Sequence, residues 1–225
     1  MTGWKLQMAW MGTSSKGNEG GLIIAEGVDG SGKTSLLKRL THDTQLPIAP
    51  KLVASDTKVI EGEGSLVQAV ETNMVQGLDA RLYDRHPLIS EMIYGPPLRH
   101  GFRPGFEDYR WLRRQQQRLR RHHPMVIFCL PPLDEVIENV KRENNQPMLV
   151  VGRIEEVYWS YFALASQWPD PIVWDYTGQT GIGTDNYWQI LDSVTDWLIR
   201  KGLIEHHVHG LVEDDETTSG PELRG

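Results

Sequence analysis

Gly27-Val28-Asp29-Gly30-Ser31-Gly32-Lys33-Thr34 spells a complete G-x-x-x-x-G-K-[ST] phosphate-binding loop. Gly27, Gly30 and Gly32 let the backbone wrap closely around an anion with successive N–H groups turned inward. Lys33 is placed to reach the outer phosphates of a nucleoside triphosphate, and the Thr34 hydroxyl to hold Mg2+. The residues from Gly27 through Thr34 to Ser35 are therefore the expected ATP contacts. Asp29 is an acid inside an anion cradle, where facing the phosphates costs roughly several kcal/mol. It is expected to turn away, toward a second ligand's hydroxyl or an arginine. A solvent-facing aspartate in a tight turn is the plainer alternative.

Such a loop works only between elements that hold it. Leu22 to Ala25 reads as a short buried strand, and Thr34 to Leu40 as a helix whose positive N-terminal end adds to the cradle. Further strands are predicted at Leu52 to Ala54, Ala80 to Tyr83, Met125 to Leu130 and Pro171 to Asp175. Helices are predicted over Ser65 to Val75, Pro87 to Tyr94, Glu107 to His122, Leu133 to Arg142, Ile154 to Ser166 and Asn186 to Arg200. Pro87 suits a first helical turn, and Gly95-Pro96-Pro97 stops that helix. Strands alternating with helices imply an α/β fold whose mostly parallel sheet, of about five strands, is covered by helices on both faces in three layers. Such sheets bind ligands beyond the carboxyl ends of their strands. The phosphate loop, Asp84-Arg85 and Asp175 all fall at such ends.

With 225 residues, 39% of them hydrophobic, the chain can bury one good core. The domain is expected over residues 21–204, between an N-terminal tail over 1–20 and an acidic tail over 205–225. His206, His207 and His209 suit a metal, although a solvated tail explains them as well. The net charge of −7 argues against nucleic-acid binding by the surface as a whole. The single cysteine, Cys129, lies in an apolar run, which suggests packing rather than reactivity. It excludes an internal disulfide and fits a reducing compartment. No apolar run approaches the roughly 20 residues of a membrane helix. Met1 to Gly20 lacks the continuous apolar stretch of a secretory signal, so a cytoplasmic protein is expected.

Switch GTPases, mechanical ATPases and small-molecule kinases all use this loop. No Asn is followed by Lys, so the guanine-reading N-K-x-D motif is absent. The strand from Met125 closes in Pro131-Pro132 and supplies no acid for a mechanical ATPase, and Asp175 comes late in the chain. These features weigh against the switch and mechanical-ATPase readings without closing them.

The segment Ala25 to Thr34 resembles the phosphate loop of thymidylate kinases. Asp84-Arg85-His86-Pro87-Leu88-Ile89-Ser90-Glu91-Met92-Ile93-Tyr94-Gly95 is similar to that family's second motif, in the right order and on matching elements. The resemblance spans roughly residues 21–202 and implies a P-loop kinase fold, ATP and Mg2+ as cofactors, and phosphoryl transfer to a deoxynucleoside monophosphate. It implies that Lys33 stabilises the transferring group, that Thr34 and Asp84 serve the metal, and that Arg85 clamps the acceptor phosphate. Asp29 would meet the acceptor's sugar, Tyr94 the acceptor, and Arg142 and Arg153 the lid. Family members are often homodimers, so a homodimer is a further expectation. The family's Arg-Glu-Pro-Gly segment has no clear counterpart, and the helix over Ser65 to Val75 carries no base-reading arginine. Tyr94, Phe102 and Trp111 suit base stacking, with core packing as the plainer role.

Arg110 to Arg121 carries six arginines, five of which (Arg110, Arg113, Arg114, Arg118 and Arg121) fall along one broad helical face. A solvated helix explains them, and so does a track for a polyanion such as DNA. Some phage enzymes that resemble nucleotide kinases phosphorylate a hydroxymethylated base within DNA, and this helix keeps that acceptor open. A nucleotide-binding module without catalysis is the third reading.

Overall fold

Leu22–Glu26 is buried at every position, as a central parallel strand requires. Leu22 and Ile24 turn to one packing layer, Ile23 and Ala25 to the other. The computed structural model of the chain describes residues 21–49, 80–95, 98, 108–142, 152–178 and 186–204. Within them, β1 (Leu22–Glu26), β2 (Arg81–Asp84), β3 (Met125–Cys129) and β4 (Ile172–Trp174) form one sheet in the order β2-β1-β3-β4. All three pairings are parallel, with Ala25 beside Asp84, Glu26 beside Phe128 and Cys129 beside Trp174. The expected second strand, Leu52 to Ala54, lies outside the described residues, as do the helix over Ser65 to Val75, Phe102 and both tails.

Among the described residues six helices cover the sheet: α1 (Lys33–Thr44), α2 (Pro87–Tyr94), α3 (Tyr109–Arg121), α4 (Leu133–Arg142), α5 (Ile154–Ser166) and α6 (Tyr187–Arg200). Residues of α1 and α6 pack on the layer of Ile23, Ala25, Leu82 and Ile127. Residues of α2 to α5 pack on the layer of Ile24, Tyr83, Val126 and Phe128. The helix starts follow local chemistry. Pro87 opens α2, Asp108 accepts from Trp111 N (2.7 Å) at α3, and Asn186 and Gln189 form a reciprocal capping box at α6.

Cys129 is fully buried, and burial pushes its thiol up to about 12, so it acts as core packing. Trp111 is likewise partly buried against the layer of α2 to α5. No described helix is long and apolar enough to cross a membrane. Chain order places β1 and β3 on either side of the point where the sheet reverses direction, and the phosphate loop follows β1 there.

Phe128 is fully buried and meets Trp168 edge to face, with centroids 6.0 Å apart. Phe128→Ala is expected to lower the unfolding free energy by about 3–5 kcal/mol in urea titrations. A loss below about 1 kcal/mol would mean that β3 is not the packed centre described here.

Candidate active site

The loop after β1 is built on backbone that only glycine adopts without strain. Gly27, Gly30 and Gly32 have φ of 149°, 78° and 81°. A Cβ on Gly27 would also lie 2.6 Å from the Cys129 carbonyl oxygen. The loop leads into α1, whose first residue, Lys33, is 7% exposed and donates from Nζ to the Val28 carbonyl at 2.6 Å. Burial and the nearby Arg85 charge push the Lys33 ammonium down to about 8, against the pull of Asp29 and Asp84. Thr34 and Ser35 are exposed on the first turn of α1.

At the end of β2, Arg85 adopts a left-handed backbone (φ 66°), and its N–H donates to Ala25 O at 3.0 Å. This turn sends the guanidinium across to the loop. Nε donates to Gly27 O at 3.2 Å, and Nη2 to Asp29 Oδ1 at 2.6 Å and Tyr94 OH at 3.0 Å. Of the two directions expected for Asp29, the structure shows the arginine. Burial would raise the Asp29 carboxyl, but Arg85 and Lys33 override it and hold the group below its usual range.

A cleft of about 890 Å3 opens over these groups, lined by Asp29, Gly30, Lys33, Thr34, Asp84 and Arg85 among others. Thr34 and Asp84 offer it a hydroxyl and a carboxylate, a donor set that suits a hard cation completed by phosphate oxygens and water. Arg142, expected at the lid, lines the cleft and pairs with Glu138 at 2.8 Å. Arg153 does not line it; it precedes α5 and pairs with Glu156 at 3.6 Å. Tyr94 is buried, with the Arg85 guanidinium 4.9 Å from its ring centroid and Tyr161 edge-on at 6.1 Å. In this arrangement its ring supports the arginine and offers no open stacking face. Asp175 closes a turn, accepting at Oδ1 from Thr177 N (2.8 Å) and Thr177 Oγ1 (2.7 Å).

Several groups at the site have no role that the sequence assigns. Asn139 on α4 donates to Gly30 O at 3.0 Å and to Tyr176 OH at 2.8 Å, tying the loop to the segment after β4. Arg39 reaches the cleft from α1, its guanidinium 3.4 Å from the centroid of the Tyr187 ring. Glu26 is fully buried beneath the loop and accepts from His86 N at 2.7 Å and Tyr161 OH at 3.0 Å. Burial pushes the Glu26 carboxyl up to about 7, against the pull of the His86 N–H, Arg85, Tyr161 and Lys33. Its one signal in the sequence is an acid closing an otherwise apolar strand. His86 caps α2 by accepting from Leu88 N at Nδ1 (3.3 Å), which leaves the proton of the neutral ring on Nε2. That atom is buried and has no hydrogen-bond partner among the described residues.

Neither a protein-family model nor a curated relative matches the chain. Among solved structures it is similar to the YorR protein of Bacillus subtilis in complex with phosphorylated GDP. The identity is 18% and the TM-score 0.55, over 82% of this chain and 99% of that one. It is also similar to deoxyadenosine kinase from M. mycoides with bound dATP, with 13% identity and a TM-score of 0.46 over 79% and 98% of the respective chains. Likeness at this identity establishes the α/β fold with its parallel sheet, while function has to be argued from the site.

Burial pushes His86 down to about 4 from an ordinary 6.5. Between these values the unfolded chain binds a proton that the native protein does not, so stability is lost as the pH falls. The unfolding free energy of the wild type relative to His86→Asn is expected to shrink between about pH 6.5 and 4 in denaturant titrations. A gap that stays constant over this range would contradict a neutral, buried His86.

Proposed function

We propose that the chain is an ATP- and Mg2+-dependent nucleotide kinase acting on a deoxynucleoside monophosphate, in the manner of thymidylate kinases. The observation that carries this reading is the placement of Arg85. Its guanidinium is held against the phosphate loop by Asp29 and Gly27, so the cleft that holds Lys33 on α1 also presents a cation from the end of β2, with Arg39 and Arg142 further along its lining. A cation fixed beside the loop on a separate element suits a second anionic group next to the triphosphate. YorR, which shares the fold, was solved with a phosphorylated nucleotide, in keeping with this reading.

In the proposed reaction, loop amides and Lys33 bind the β- and γ-phosphates of ATP, and Arg85 binds the acceptor's phosphate. An oxygen of that phosphate bonds to the γ-phosphorus as the bond to the β–γ bridging oxygen breaks. The products are ADP and a deoxynucleoside diphosphate. The chain's contribution is positioning and charge stabilisation. Thr34 and Asp84 would hold Mg2+, which when bound neutralises charge on the phosphate oxygens. Asp29 aims the clamp and is the candidate contact to the acceptor's sugar. Arg142 is the candidate lid cation.

A second acceptor, a hydroxymethylated base within DNA, is favoured by one specific observation. Leu112, Gln116 and Leu119 bury one side of α3, while Arg110, Arg113, Arg114, Arg118 and Arg121 are exposed. On a helical wheel the two sets lie opposite each other, so the arginines form an outward track that matches a phosphate backbone.

Labelled ATP offered to a panel of deoxynucleoside monophosphates, and in parallel to DNA containing hydroxymethyl bases, distinguishes the readings. Label in a diphosphate product supports the first, and label in polymer alone overturns it in favour of the second. ATP binding without transfer to either would leave a nucleotide-binding module. Lys33→Ala is expected to lower turnover by at least about 100-fold with the fold intact. Arg85→Ala is expected chiefly to impair use of the acceptor, and unchanged acceptor KM and kcat would refute its role. Neutralising Arg113, Arg114 and Arg118 together is expected to flatten the salt dependence of DNA binding. A wild type without DNA affinity at low salt would remove the second reading.

A further inference from the structure

Glu26 is the residue immediately before the loop, yet it is fully buried and does not line the cleft. Both of its carboxylate oxygens are spent on groups that determine where Arg85 points. Oε1 accepts from the N–H of His86, the residue that follows Arg85. That bond holds the far side of the peptide at which Arg85 takes its left-handed backbone, while Arg85 N donates to Ala25 O on the near side. Oε2 accepts from Tyr161 OH. The Tyr161 ring packs edge-on against Tyr94, whose hydroxyl accepts from Arg85 Nη2. One buried carboxylate thus reaches the backbone of Arg85 through the neighbouring His86 N–H and its guanidinium through two tyrosines.

We propose that Glu26 is a positioning residue that fixes Arg85 from both ends, holding its strained backbone through His86 and its guanidinium through Tyr161 and Tyr94. Left-handed backbone at an arginine persists only where its surroundings over-determine it. A buried polar group is retained at a cost that its partners must offset. Glu26 meets both conditions, since each oxygen has a defined donor and neither faces solvent. From β1 it joins the start of α2, through His86, to α5, through Tyr161, and these elements meet only in the folded chain.

The proposal rests on Arg85 as acceptor clamp for its functional meaning, but its structural content is testable apart from turnover. In uniformly 15N-labelled protein, the Arg85 Nε–H resonance is identified by its disappearance in Arg85→Lys. An Nε–H that donates to Gly27 O is expected to be separated from those of exposed arginines. Glu26→Ala is expected to merge that signal with the exposed set, and Glu26→Gln and Tyr161→Phe to shift it, while backbone signals of Gly30 and Gly32 stay in place. An Arg85 signal unmoved in the Glu26 and Tyr161 variants overturns the proposal. Where Glu26→Ala fails to unfold cooperatively, the Gln and Phe variants decide the point. In kinetics, Glu26→Gln is expected to lower acceptor kcat/KM about 10- to 100-fold with little change for ATP. In an Arg85→Ala background it is expected to cost almost nothing further. Fully additive losses would show that Glu26 acts apart from Arg85. If the wild type transfers no phosphoryl group, the kinase reading fails while the resonance measurement still decides the role of Glu26.

Discussion

The site depends on keeping a buried ammonium and a partly buried guanidinium beside each other. Lys33 and Arg85 come from different elements and face one cleft, and removing like charges from water makes each disfavour the other. The cost is visible at Lys33, pushed down to about 8 by burial and by Arg85. Asp29 offsets it by bonding Arg85 directly at 2.6 Å and by pulling on Lys33. The result is a charge arrangement that a polyanion would complete, because each added phosphate oxygen relieves repulsion already present.

Backbone geometry brings these charges together. β1 and β2 pair in parallel with Ala25 beside Asp84, so the loop and Arg85 leave the sheet at the same level. β3 ends beside them and presses the Cys129 carbonyl against Gly27, which leaves no room for a side chain there. Asn139 and Tyr176 brace the outer side of the loop from α4 and from the segment after β4. The cradle is thus supported by the sheet beneath and by two later elements at its rim, which limits how far its amides can move from the shape an anion needs.

Features set by neighbouring residues were legible in the sequence. The loop could be read because its glycines, lysine and threonine act through local backbone. Helices α2, α4 and α5 fall on the predicted bounds because Pro87, the apolar spacing and the flanking breakers are local signals. Asp29 was readable as far as its need to avoid phosphate. Its actual partner, Arg85, was already a candidate, but their bond crosses 56 positions of chain. The network behind the arginine was not legible. Glu26 contacts His86 and Tyr161 across 60 and 135 positions, and no spacing rule links such residues. The sequence points Tyr94 at the acceptor site, and the structure adds that its hydroxyl and ring both meet Arg85. Arg142 and Arg153 share the lid expectation, and of the two only Arg142 lines the cleft.

The central claim is that one cleft holds two adjacent anion sites, one at the loop and one at Arg85. The most direct test is calorimetric titration with an adenosine–deoxynucleoside pentaphosphate, a single molecule that spans both. The account expects it to bind at least about 100-fold more tightly than ATP, because the second contact becomes intramolecular, and expects Arg85→Ala to abolish that surplus. Binding no tighter than that of ATP, or a surplus that survives Arg85→Ala, would contradict it.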